Sequence, residues 1–118
     1  MVQSDINTRE DIEKLISRFY EKVRADDLLA PHFGQVDWVK HTPVIIDFWC
    51  MILLGSDGYK SNPFEKHMRM QIRQHHFERW LLLFSETVDD NFSGPKASEA
   101  KDRARNIAGV FRHKMGLT

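Results

Sequence analysis

Three of the chain's six histidines and one of its three tryptophans fall between Asn62 and Phe84, in the run N-P-F-E-K-H-M-R-M-Q-I-R-Q-H-H-F-E-R-W-L-L-L-F. His67 stands there among Phe64, Met68 and Met70. A single imidazole in soft, apolar company has two readings. Its neutral ring nitrogen can donate to the iron of a flat macrocycle while its neighbours bury the ring, as an axial ligand of haem requires. Alternatively, His67 caps or lines a helix end, and on residue chemistry alone this ordinary reading carries more weight. Tyr20 is the second group of interest. It lies on an apolar helical face, four residues after Ile16 and three before Val23. Its hydroxyl is therefore carried inward and needs a partner, ordinarily a backbone carbonyl or water. Cys50 is the only cysteine. It has no partner for an internal disulfide and leaves no C-x-x-C-H attachment site, so any haem is held without covalent links. Near Phe48 and Trp49, it reads as a small core residue rather than a reactive thiol.

The elements that must position these groups are helical. Thr8 is placed to cap a helix, with Asp11 three residues on. An apolar stripe follows through Ile12, Leu15, Ile16, Phe19, Tyr20 and Val23 and stops near Ala25-Asp26-Asp27. Leu28 to Phe33 is a turn-rich connection in which Pro31 limits any helix and from which Phe33 plugs the core. Val36 to Leu54 forms the next element, with Trp38, His41, Ile45, Phe48 or Trp49, and Ile52 on one face. Pro43 leaves two starts open. A helix capped by Asp37 carries the proline inside, at a cost of about 3 kcal/mol. A helix opened by Thr42-Pro43 instead leaves His41 in a separate turn, aimed differently. Gly55 and Gly58 bracket a loop, and Asn62-Pro63 opens the segment of His67. Gln71 to Gln74 leads into a long helix through about Asp89, with Phe77, Trp80, Leu81, Phe84 and Val88 on one face. After a turn at Asn91 to Pro95, a last helix from about Lys96 to Met115 turns Ala100, Ala104, Ile107, Ala108 and Phe111 inward. No stretch alternates with period two, so the expected fold class is all-α, in a single domain over residues 1–118.

Composition narrows the functions. A chain of 118 residues with 42% hydrophobic and 29% charged side chains suits one core. The 17 basic and 17 acidic side chains balance, so there is no basic excess to track phosphates, which argues against nucleic acid as the main partner. No apolar run approaches the ~20 residues that cross a bilayer. The longest, Ile45 to Leu54, contains Asp47. The first residues lack the apolar core of a signal peptide, and a lone cysteine fits a reducing cytoplasm, which is the expected location.

In order and spacing, this chain resembles the truncated haemoglobins, and most of all their third group, over roughly Ile12 to Met115. The residues that carry the likeness are R-F-Y-E-K-V-R-A-D-D-L-L-A-P-H-F at Arg18–Phe33 and W-V-K-H at Trp38–His41. D-F-W-C-M-I-L-L-G follows at Asp47–Gly55, then the Pro63-x-x-x-His67 spacing and F-E-R-W-L-L-L-F-S-E-T-V at Phe77–Val88. The resemblance implies a shortened globin, two helix pairs in a two-over-two sandwich around one non-covalent haem b (iron protoporphyrin IX). His67 matches the proximal iron ligand. Tyr20 and Trp80 match the donors that face bound ligand, with His41 and Ile45 beside them in the distal pocket. Phe33 matches the phenylalanine on the haem face, and Phe48, Trp49, Phe64, Met68 and Phe77 are expected to pack on the haem as well. Lys66, Arg69 and Arg73 are candidates for the propionates. Two features depart from the family: Pro43 just after His41, and the run M-R-M-Q-I-R-Q-H-H after His67, which lacks prolines. His75 and His76 are rival ligands in principle, while His32, His75 and His113 read most simply as solvated or core-edge residues.

The function this implies follows from ligand charge. Ferrous haem leaves negative charge on bound oxygen, and a hydrogen bond to a charged acceptor contributes ~1.5–3 kcal/mol. Each ~1.4 kcal/mol is tenfold in an equilibrium. Two donors, Tyr20 and Trp80, would hold oxygen tenaciously and favour it over carbon monoxide. That suits redox chemistry on oxygen or peroxide, such as oxidation of nitric oxide to nitrate or a peroxidase-like reaction, better than oxygen delivery. Oxygen, nitric oxide, carbon monoxide and cyanide are the expected haem ligands, with an unidentified reductase as electron donor and neither nucleic acid nor membrane as partner. Two other readings stand beside it. One is a redox or gas sensor in which His41 binds the iron when ligand is absent. The other is a haem-free helical interaction module with its aromatics as plain core.

Overall fold

The computed structural model describes residues 3–33, 38–55 and 74–114, and only the backbone of His32, Phe33, Trp38, Gln74, Phe111 and Lys114. Its helices are α1 (Arg9–Ala25), α2 (Ala30–Phe33), α3 (Trp38–Leu54), α4 (Gln74–Asn91) and α5 (Pro95–Lys114). There is no strand among the described residues. The all-α class is therefore observed. None of these helices is long and apolar enough to cross a membrane.

Helix α1 forms as its sequence dictates. The Asp11 amide donates to Thr8 Oγ1 at 3.2 Å, and Asp11 Oδ2 accepts from the Thr8 amide at 3.1 Å, which closes a capping box. Ile12, Leu15, Ile16, Phe19, Tyr20 and Val23 are all buried. The helix stops at Asp26, whose amide donates to the Val23 carbonyl. The next stretch was expected to be turn-rich, with Pro31 limiting any helix. It contains a single helical turn, with Pro31 in second place. A proline is tolerated there because first-turn amides have no intrahelical partner.

Of the two starts open to α3, the structure takes the first. The helix runs unbroken from Trp38 with Pro43 inside it, while the expected cap, Asp37, lies outside the described residues. The buried face is Ile46, Trp49, Cys50 and Leu53. The expected row of His41, Ile45, Phe48 and Ile52 lies beside it and is half-buried. Helix α3 is apolar on most sides, so its spacing left the orientation undecided between Phe48 and Trp49.

Helices α4 and α5 pair through a turn at Phe92–Gly94, and α1 packs on both α3 and α4. The inward alanines of α5 are Ala97, Ala100, Ala104 and Ala108, which let its backbone approach closely. On α4, Phe77, Leu83, Phe84, Thr87 and Val88 are buried. The Thr87 hydroxyl is satisfied by donating to the Leu83 carbonyl at 2.7 Å. A strap before α1 closes this end of the molecule. Ile6 is fully buried, Gln3 Nε2 donates to the Asp90 carbonyl at 2.6 Å, and the Ser93 amide donates to the Ser4 carbonyl at 3.1 Å. Asp5 caps α5 by accepting from the Lys96 and Ala97 amides at 2.9 and 2.8 Å.

Candidate functional site

The stripe of α1 delivers Tyr20 to the same wall as Trp80 of α4. Phe19 packs beside both, its ring 4.7 Å from Tyr20 and 5.5 Å from Trp80, edge-on to the latter. The wall continues through Phe84, stacked 5.6 Å from Trp80 and 4.9 Å from Trp49 of α3, and ends at Phe48, 5.8 Å from Trp49. One run of rings thus crosses α1, α4 and α3. Centroid separations of this size are those of favourable aromatic pairs.

Within the wall, Tyr20 is buried. Burial pushes its phenol up to about 12, and a hydrogen bond from Trp80 pulls only partly the other way. Indole is a donor only, so the Trp80 N–H gives to the phenol oxygen. The phenol keeps its proton across the neutral range, and that proton is not directed at Trp80. Tyr20 therefore stands as a polarised O–H donor in a low-dielectric wall.

The other sequence-predicted residues divide clearly. His41, Ile45 and Phe48 share the half-buried row on α3, Trp49 is in the core, and Phe77 is buried on α4. His67, Phe64, Met68, Lys66, Arg69 and Arg73 lie outside the described residues, as does the side chain of Phe33. His76 is buried with its ring 4.1 Å from that of His75, while His75 and His113 are exposed as expected. Cys50 is buried, as expected of a small core residue. Burial holds its thiol above the ordinary range although Arg9 Nη1 lies 3.9 Å from the sulfur, so it does not act as a thiolate.

Sequence reasoning passed over two features of this wall. Phe19 was placed on the stripe without the bridging part it has between the two donors. Asp26 was noted only as a helix end. Its carboxylate meets Arg79, the residue before Trp80, at 2.7 Å. The cue for Phe19 was its adjacency to Tyr20, whereas nothing local marked the Asp26–Arg79 pair.

The residues present suit a flat, apolar, iron-bearing cofactor. A buried hydrogen-bond donor, a half-buried apolar row on α3 and stacked rings offer one wall for a macrocycle and one polar point for a ligand on its metal. Comparison with known proteins agrees. A family profile described as bacterial-like globin matches residues 3–115. A group 3 truncated hemoglobin of Campylobacter jejuni is 34% identical over 114 residues, covering 91% of this chain and 90% of that protein. A crystal structure of the group III truncated hemoglobin from Campylobacter jejuni superposes with a TM-score of 0.85 at 36% identity, covering 98% of this chain and 95% of the other. The structure of Chlamydomonas reinhardtii THB1, at 24% identity, shares the fold with a TM-score of 0.68 over 86% of this chain and 87% of its own. The chain belongs to the bacterial-like globins, and within them it is a truncated haemoglobin most like group III, a haem protein that binds a gaseous ligand such as oxygen.

Proposed function

We propose that the protein holds non-covalent haem b through His67 and retains oxygen tightly because Tyr20 donates to the ligand, supported by Trp80. Haem, when bound, supplies a ferrous iron that takes a diatomic ligand and places negative charge on it. The chain's own contribution is to meet that charge with a fixed donor in a dry wall. The observation that carries this reading is the burial of Tyr20 in one run of rings, 4.7 Å from Phe19, whose ring lies 5.5 Å from Trp80, with a hydrogen bond from Trp80 acting on the phenol. A hydroxyl that already accepts from an indole is a stronger donor through its own proton. On this reading Phe48, Trp49 and Phe77 pack on the haem, Phe33 joins them on the family pattern and Phe64 and Met68 as neighbours of His67, and Lys66, Arg69 and Arg73 are candidates for its propionates.

Tight retention fits turnover of oxygen with nitric oxide, or of peroxide, more than delivery. It requires an electron donor, a reductase in a reducing cytoplasm. Carbon monoxide and cyanide serve as further ligands with less demand on the donors. A second reading has one observation in its favour. Because α3 runs straight through Pro43, His41 lies on the half-buried row with Ile45 and Phe48, where it can approach the iron as a ligand-sensitive gate.

The test is to load the chain with haem and record ferrous absorption spectra with and without oxygen, for wild type, His67→Ala, Tyr20→Phe and His41→Ala. The reading expects haem uptake, loss of the iron ligand in His67→Ala and faster oxygen release in Tyr20→Phe. A wild-type protein that takes up no haem sinks it. A six-coordinate ferrous spectrum abolished by His41→Ala selects the sensor reading.

A further inference from the structure

We infer that the Asp26–Arg79 ion pair sets the axial register of α1 against α4, and that both are positioning residues for the Tyr20–Trp80 donor pair. This rests on the donor reading proposed above and adds what aligns it.

Aromatic packing leaves the axial register of the two helices open. Phe19 against Trp80 and Phe84 buries apolar area, and burial is non-directional, so it tolerates sliding along the helix axes. A hydrogen bond between Trp80 and Tyr20 does not tolerate sliding, because an offset of about 1 Å takes it beyond bonding distance. Something directional must hold the two helices in step. Among the described residues, two ion pairs join α1 and its C-cap to α4. Lys22–Asp90 is exposed on both sides, at 33% and 65%, and such pairs contribute little. Asp26–Arg79 differs on its carboxylate side. Arg79 is 41% exposed, but the Asp26 side chain is only 7% exposed, and Arg79 Nε and Nη2 both reach its Oδ1 at 2.7 Å.

The second carboxylate oxygen is also committed. Asp26 Oδ2 accepts from the Leu29 amide at 3.1 Å, and the Asp26 carbonyl accepts from the Ala30 amide at 2.8 Å. Asp26 therefore closes α1, starts α2 and grips α4 at once. Arg79 is the residue immediately before Trp80, and Arg24 Nε donates to the Tyr20 carbonyl at 3.2 Å, which fixes the last turn of α1. A carboxylate held on both oxygens is a rigid lever, and the fork of a guanidinium gives it angular precision that an ammonium lacks.

The experiment uses haem-loaded protein in wild type, Asp26→Asn, Arg79→Met, Arg79→Lys and Tyr20→Phe. Asp26→Asn keeps an acceptor for Leu29 and guards against a fold lost through an unpaired buried carboxylate. Oxygen and carbon monoxide dissociation rates are measured by stopped flow. The Trp80 indole N–H resonance is followed in the diamagnetic ferrous carbon monoxide form, assigned with Trp80→Phe, alongside the thermal midpoint. The inference expects Arg79→Met and Asp26→Asn to release oxygen about tenfold faster, with carbon monoxide release changed less than about twofold. It also expects a displaced indole resonance and partial recovery in Arg79→Lys. A lowered thermal midpoint with the oxygen-to-carbon monoxide ratio and the indole resonance unchanged reduces the pair to a stability element and overturns the inference. Should Tyr20→Phe release oxygen at the wild-type rate, the donor reading itself fails. The indole resonance then still judges the pair: displacement in Arg79→Met supports the register role, and constancy overturns it.

Discussion

Phe19 lays its ring 4.7 Å from Tyr20 and 5.5 Å from Trp80, and a hydrogen bond from Trp80 partly offsets the effect of burial on the Tyr20 phenol, so the two groups proposed to meet a ligand are coupled. On the proposed reading, Trp80 polarises the phenol and Tyr20 offers the proton. Deleting either member should reveal the coupling. Tyr20→Phe should speed oxygen release by about ten- to a hundredfold, and Trp80→Phe by less. The double variant should fall short of the product of the two, because each change already removes the shared bond. Oxygen dissociation rates for the four proteins complete the cycle, and strictly multiplicative effects would show the residues to be independent.

The protonation of Tyr20 gives a second expectation. Its folded-state value of about 12 lies above the ordinary phenol value near 10. Folding therefore retains a proton that the unfolded chain has lost between those limits, so its contribution to stability is complete below pH ~10 and falls as pH rises toward 12. A spectrophotometric phenol titration should show a late-ionising component, together with alkaline unfolding. Tyr20→Phe should remove the late component. A titration that Tyr20→Phe leaves unchanged above pH ~10 would contradict the burial of Tyr20.

Asp5 makes the opposite prediction at acid pH. Burial alone would raise its carboxyl, but the amides of Lys96, Ala97 and Ile6 and the Lys96 charge outweigh it and leave the group below the ordinary range. Its contribution is present above pH ~4 and lost as pH falls through the depressed folded value. Asp5→Ala should cost about 1 kcal/mol, as a lost helix cap does, and should flatten the acid limb of the stability profile. Urea denaturation between pH 3 and pH 7 measures both.

The same contact makes Gly94 irreplaceable. Its φ is 140°, a region other residues avoid, and an added Cβ would stand 2.6 Å from Asp5 Cγ. Gly94→Ala should destabilise by about 1–3 kcal/mol through backbone strain and loss of the Asp5 cap. Combined with Asp5→Ala, the loss should fall short of the sum of the two, because both changes remove the same cap, while the backbone strain and the 2.8 Å approach to the Cβ of residue 5, which alanine keeps, remain.

Pro43 carries a cost of a different sort. It stands in the second turn of α3, where it offers no amide to the Val39 carbonyl. Pro43→Ala should stabilise the protein by about 1 kcal/mol, a part of the ~3 kcal/mol interior penalty. An unchanged denaturation midpoint would mean that the first turn of α3 is held by other contacts.

How much of this was legible in advance depends on the range of the interaction. Helix α1 was readable in full, because its cap and its buried stripe are local patterns of one amphipathic helix. The motif order from Arg18 to Val88 was enough to mark the family. The single-turn helix at Ala30–Phe33 and the continuity of α3 through Pro43 were not, since a proline's local preference is outweighed when packing holds the turn. Nor was the face of α3, whose residues are apolar on most sides and leave the choice to what packs against them. Tyr20 and Trp80, Asp26 and Arg79, and Asp5 and Lys96 stand 60, 53 and 91 positions apart in the chain. Local pattern is enough for the long amphipathic helices and the chemistry available on them. The tertiary structure alone decided which donor meets which acceptor, because that depends on the register between helices, and no periodicity within one helix encodes its position along another.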